Sequence, residues 1–154
     1  MSDTIHMELE HGQVVIELRP DLAPNHVARV KELTGAGFYD GVVFHRVIPG
    51  FMAQTGDPTG TGTGGSDKPD IAAEFSREPH LRGTVSMARA SAPDSANSQF
   101  FICFADCPWL DGQYSVFGKV VSGMEHVDAI KKGAEGGDGM VGSPDSIKKM
   151  SLAE

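Results

Sequence analysis

The sequence has 154 residues, of which 40% are hydrophobic and 22% charged, a length and balance that suit one globular domain with one core. Its formal net charge of -8 argues against nucleic acid or an anionic membrane surface as partner, because both are bound by clustered Lys and Arg. No apolar run approaches the roughly 18 residues of a membrane-spanning helix, and the N-terminal Met1-Ser2-Asp3-Thr4-Ile5-His6 lacks the basic and apolar regions of a secretory signal.

The chain opens on a predicted hairpin. Ile5, Met7 and Leu9 alternate with His6, Glu8 and Glu10, His11-Gly12 turns, and Val14, Ile16 and Leu18 alternate with Val15, Glu17 and Arg19. Period two buries one face of each strand. The same alternation makes His6, Glu8, Glu10 and His11 a solvated face rather than a ligand set. A helix is predicted from 24 to about 34. Pro24 is pre-set for a first turn, Val27, Val30 and Leu33 recur at helical spacing, and Gly35-Ala36-Gly37 ends it. From 42 to 55 the pattern reads as two strands joined by Pro49-Gly50. A Gly-rich loop over 56–65 follows, then a polar connection through Pro69 and Pro79. Strands resume over 83–88, 98–104 and 115–121. A second helix is marked by Ser122 and Glu125, which fit a capping box, by the stripe Met124, Val127 and Ile130, and by Gly133 at its end. A Gly-rich loop over 134–142 and a short strand over 147–152 complete the pattern. Strands and helices do not alternate as in a doubly wound sheet, so an antiparallel β-barrel capped by two helices fits best.

Several chemistries lack their parts. Gly60, Gly62 and Gly65 match G-x-G-x-x-G, but a dinucleotide site needs a helix to open there, and Ser66-Asp67-Lys68-Pro69-Asp70 is poor helix material. No phosphate-loop Lys follows, and neither a G-x-S-x-G elbow nor an H-E-x-x-H pair occurs. The two cysteines, Cys103 and Cys107, enclose too short a loop to staple a fold and lack a second ligand pair for zinc. They are expected as reduced thiols in a reducing, cytoplasmic compartment. No metal and no other cofactor is expected.

Two segments differ from the rest. One runs Phe44-His45-Arg46-Val47-Ile48-Pro49-Gly50-Phe51-Met52-Ala53-Gln54-Thr55-Gly56-Asp57. The other is Ser98-Gln99-Phe100-Phe101-Ile102-Cys103-Phe104, continuing to Trp109-Leu110-Asp111-Gly112. Strand periodicity puts Met52 with Gln54, and Gln99 with Phe101, on one face. Met, Phe, Gln and Arg together suit an apolar groove with a few directional polar groups. Taken singly, Arg46 reads more readily as a surface ion-pair residue, and Phe51, Met52 and Phe101 as plain core.

The two segments resemble the central motifs of the cyclophilin family, and the resemblance extends from the first hairpin to Phe117-Gly118-Lys119-Val120. It implies a mainly β fold: a closed eight-stranded antiparallel β-barrel capped by two α-helices, as a single domain over 1–154. It implies a peptidyl-prolyl cis/trans isomerase that acts without a cofactor on proline-containing peptides and on unfolded or folding proteins, as a folding helper; with no obvious interface stripe in the sequence, a monomer is expected. Arg46 and Gln54 would be catalytic, Arg46 by hydrogen-bonding to the proline nitrogen as the amide twists. The resemblance assigns the proline ring to Phe51, Met52, Phe101 and Leu110. It assigns further substrate contacts to His45, Ala88, Arg89, Ala90, Gln99, Trp109 and Tyr114. Trp109 stands where this family often accompanies cyclosporin binding, so sensitivity to cyclosporin-type inhibitors is implied. Three features depart from the family pattern: Arg89 where Asn is frequent, Tyr114 where His is frequent, and one extra residue between Ala90 and Gln99. The alternative is a proline-peptide binding module with incidental turnover; the presence of Arg46 with Gln54 favours the enzyme.

Overall fold

Alternating burial along the first two strands sets the frame. A computed structural model describes residues 3–61, 64–90, 92–133, 141 and 144–152. In it β1 (Thr4–Glu8) and β2 (Gln13–Leu18) form the predicted hairpin, with Ile5, Met7, Val14, Ile16 and Leu18 buried. Helix α1 (Pro24–Gly35) starts at its proline and buries Val27, Val30 and Leu33. Strands β3 (Arg46–Ile48), β4 (Met52–Thr55), β5 (Thr84–Met87), β6 (Phe100–Cys103) and β7 (Ser115–Ser122) follow, with a 3-10 turn at Pro108–Leu110 before β7. Helix α2 (Met124–Asp128) and β8 (Lys149–Leu152) come last. No helix among the described residues is long and apolar enough to cross a membrane.

The eight strands form one sheet in the order β3-β4-β6-β5-β7-β2-β1-β8, and every neighbouring pair is antiparallel. The sheet curls round a single large core that takes Val47 from one edge strand and Met150 from the other. The expected closed barrel is corrected to a curled half-barrel. Among the described residues no ladder joins β3 to β8. The edges meet only just before those strands begin, through the isolated bridge Val43–Ser146 and the bonds Phe44 N–H to Asp145 O (2.8 Å) and Ile147 N–H to Val42 O (2.8 Å). The edge strands have three and four residues, too short to carry that contact into a continuous ladder.

The second helix also differs from expectation. Ser122 remains in β7, opposite Val15, so it is not available as a cap. Gly123 takes the N-cap position at φ 83°, with no side-chain cap bond, and the helix stops at Asp128, before Ile130. A Cβ on Gly123 would run into the Gln13 carbonyl oxygen and lie 3.0 Å from the Val14 Cα. The predicted loop over 134–142 lies outside the described residues except for Val141, as does Gly62 of the glycine pattern.

Candidate active site

Register across four strands builds the site. Arg46 on β3 stands opposite Gln54 on β4, Gln54 opposite Phe101 on β6, and Phe101 opposite Ser86 on β5. The next row is Val47, Ala53, Ile102 and Val85. Successive strand residues face opposite ways. The second row therefore joins the main core, while the first lies on the outer face. There Met52, Phe101, Cys103, Cys107 and Leu110 form a separate apolar cluster, with Phe51, Ala88 and Tyr114 packed at its margin.

This outer cluster surrounds a pocket of about 120 Å³, with Phe51, Met52, Phe101, Leu110 and Tyr114 on its apolar side and Arg46, Gln54, Ala88 and Arg89 on the other. A drug-sized ligand needs roughly 300 Å³ or more; this pocket suits one small ring. Arg46 Nη1 donates to Gln54 Oε1 at 3.2 Å, Gln54 Nε2 donates to Gln99 Oε1 at 2.8 Å, and Gln99 Nε2 donates to the Gly64 carbonyl at 2.9 Å. The relay ties the guanidinium to the backbone of the Gly-rich loop. That loop is held in turn by buried Asp57, whose carboxylate accepts from the Thr59 and Gly64 amides at 2.8 and 3.0 Å.

A second pocket of about 470 Å³ adjoins the first. Most of its side chains are polar, Ser66, Asp70, Asn97 and Gln99 among them, and it shares Gln54, Ala88 and Arg89 with the first pocket, most of whose side chains are apolar. Arg89 donates from Nε to the Gln113 carbonyl at 3.1 Å and from Nη1 to the Ala90 carbonyl at 2.9 Å. Its guanidinium carbon lies 4.8 Å from the Tyr114 ring centroid and 5.9 Å from that of Phe75. Trp109 is 61% exposed at the groove margin, its ring 5.6 Å from that of Phe51.

The structure thus gathers Arg46, Gln54, Phe51, Met52, Ala88, Arg89, Ala90, Gln99, Phe101, Leu110 and Tyr114 round two adjoining pockets, with Trp109 beside them. His45 is corrected. It is buried, lines neither pocket, and among the described residues has no hydrogen-bond partner on either ring nitrogen. Burial lowers its pKa, against the opposing pull of Asp57.

Sequence reasoning missed His80. Its Nδ1 donates to Asp111 Oδ1 at 3.0 Å and its Nε2 accepts from Ser86 Oγ at 3.0 Å, which fixes the ring beneath the pocket. The ring stacks on Phe101 at 6.2 Å and meets the Tyr114 edge at 6.4 Å. Burial lowers the His80 pKa despite Asp111. Ser, His and Asp in a row resemble a hydrolase triad, but Ser86 is fully buried and no substrate carbonyl can reach its hydroxyl. Nothing local in the sequence links positions 80, 86 and 111. Cys103 and Cys107 are both buried and unbridged, and burial pushes both thiols up. Among the described residues no cluster of three His, Cys, Asp or Glu could hold a metal ion.

A family model described as "Cyclophilin type peptidyl-prolyl cis-trans isomerase/CLD" matches residues 4–152. The chain belongs to the cyclophilin family. A relative from Brucella suis, described as a probable peptidyl-prolyl cis-trans isomerase, is 57% identical over 161 residues, covering 97% of this chain and 82% of the relative. A Schizosaccharomyces pombe peptidyl-prolyl cis-trans isomerase is 44% identical over 124 residues, covering 78% of this cyclophilin and 79% of the yeast protein. The crystal structure of a Cryptosporidium parvum cyclophilin superposes with a TM-score of 0.91 at 29% identity, covering 100% of this chain and 99% of the other. The same parasite protein solved in the presence of the dipeptide Ala-Pro gives a TM-score of 0.89 at 30% identity, with 98% and 99% coverage. Family membership makes this cyclophilin a peptidyl-prolyl cis-trans isomerase, a reaction that needs no nucleophile.

Proposed function

We propose that this cyclophilin isomerises Xaa-Pro bonds of peptides and folding proteins with Arg46 as its catalytic group and Gln54 as the residue that positions it. The observation that carries the assignment is the Arg46 guanidinium, tethered to Gln54 at 3.2 Å on the rim of an apolar pocket the size of one ring. Amide resonance sets a barrier of roughly 18–20 kcal/mol, whereas cis and trans Xaa-Pro differ by only about 0.5–1 kcal/mol. The catalyst therefore has to bind the twisted amide better than either planar form. As the bond twists, the proline nitrogen regains its lone pair. A guanidinium stays charged and carries several donors on one rigid plane, so it can hydrogen-bond that nitrogen and oppose the return of resonance. The proline ring would fill the space between Phe51, Met52, Phe101 and Leu110. Ala88, Arg89, Ala90, Gln99 and Tyr114 would line the path of the flanking chain.

The Ala-Pro dipeptide named for the Cryptosporidium cyclophilin supports a proline-containing ligand here. Exposed Trp109 beside Phe51 supports binding of cyclosporin-type inhibitors, and activity unchanged at saturating cyclosporin would remove that part of the proposal. Buried, unbridged thiols fit a reducing cytoplasm, where the chain would work as a single-domain monomer and folding helper. The deciding experiment compares wild type with Arg46→Ala on a short Ala-Pro peptide. Losing a preorganised donor to a developing charge costs about 10²–10³-fold in rate, and a loss of about that size is expected. Equal rates would sink the role of Arg46. Peptide binding without acceleration by wild type would make the chain a binding module.

A further inference from the structure

The apolar and polar pockets share one wall, made by Gln54, Ala88 and Arg89, of which Arg89 is the charged member. Its guanidinium is fixed in place. Two donors reach the Gln113 and Ala90 carbonyls at 3.1 and 2.9 Å, and the guanidinium carbon lies over the Tyr114 ring, 4.8 Å from its centroid, and 5.9 Å from that of Phe75. Carbonyl oxygens and ring faces orient a guanidinium without neutralising it.

A chain with its proline ring in the apolar pocket must pass this wall to reach the polar one. In an extended strand, side chains two residues apart point the same way and are spaced about 6.6 Å. A residue within two positions of the proline is thus the one brought to the shared wall. We propose that Arg89 is a specificity-determining residue that selects proline-containing chains bearing an acidic side chain within two positions of the proline. The inference rests on the isomerase reading above. The polar pocket also contains Asp70, whose carboxylate accepts from Asn97 Nδ2 at 3.1 Å. Asp70 opposes an acidic group that goes deeper, so the preference is confined to positions near the wall. The chain as a whole carries -8, so a general field cannot be its source.

The test uses otherwise neutral peptides with one proline and Glu, Gln or Lys at each of the two positions on either side. Isomerisation is read by NMR exchange, and affinity by titration of the same peptides. Wild type should favour Glu over Lys by about three- to fivefold at one or more positions, the range of an exposed ion pair. The ratio should shrink at about 0.5 M salt. Arg89→Glu should reverse the order at that same position, and Arg89→Lys should keep its sign. Equal handling of Glu and Lys at all positions would overturn the proposal, as would a preference that survives in Arg89→Glu. If wild type fails to accelerate even the Gln peptides, the isomerase reading falls, while the Glu-to-Lys affinity ratio still decides the role of Arg89.

Discussion

His45 and Arg46 are chain neighbours, and the strand they enter sends their side chains to different places. Arg46 reaches the outer groove; His45 is buried, with neither ring nitrogen partnered among the described residues. Burial is the largest influence on His45, His26 and His80, and it lowers all three from the ordinary 6.5. A histidine depressed in the folded state binds its proton more readily when unfolded. Its contribution to stability is therefore fully present above about pH 6.5 and is lost as the pH falls through the lower folded value. His26 and His80 are hydrogen-bonded to the carboxylates of Glu74 and Asp111, which partly offset this, whereas His45 feels Asp57 through its charge, opposed by Arg46. His45→Leu deletes one such proton site at similar volume. Calorimetric Tm should fall less between about pH 7.5 and 5.5 in this variant than in wild type. An identical fall in the two proteins would remove His45 as a contributor.

At the scale of elements, period-two alternation makes the hairpin, the outer-face amides and most strand positions legible in the sequence alone. Pro24 and the Val27, Val30, Leu33 spacing do the same for α1. The pattern misleads at α2, where Ser122 and Glu125 fit a cap motif that the β7 ladder overrides. The helix there depends on the backbone of Gly123, at φ 83° and pressed against Gln13 and Val14. Gly123→Ala should therefore lower stability by about 1–3 kcal/mol, while Ser122→Ala should cost under about 0.5 kcal/mol, below the usual loss for a true N-cap. Chemical denaturation of both variants checks this, and a larger loss from Ser122→Ala would restore the capping box. Contacts between distant segments have no sequence signal at all. Asp111 meets His80, and Phe75 meets Arg89, only because the sheet folds their loops together.

For the whole molecule, the number of strands and their antiparallel pairing are readable from the residues, but closure is not. Closure depends on how far the edge strands extend, and here they stop at three and four residues with an isolated bridge between their approaches. The stability of the sheet rests on its core rather than on covalent staples, since Cys103 and Cys107 are buried and unbridged. Tm measured with and without dithiothreitol should agree within about 1 °C, because stapled domains gain some 2–4 kcal/mol from a disulfide and this one has none to lose. A lower Tm under reduction would reveal a bridge between the two.

Strand β6 is buried at all four positions, Phe100 and Ile102 in the main core and Phe101 and Cys103 under the groove. A strand with no solvent face is safe only once both its covers are in place. During synthesis or refolding, Phe100-Phe101-Ile102-Cys103 is a short, uncharged, β-prone stretch of the kind that pairs with copies of itself. Docking within the chain competes with association between chains until β4 and β5 close over its edges. A prolyl isomerase thus carries, in the floor of its groove, the same liability to aggregate that an unfolded chain presents.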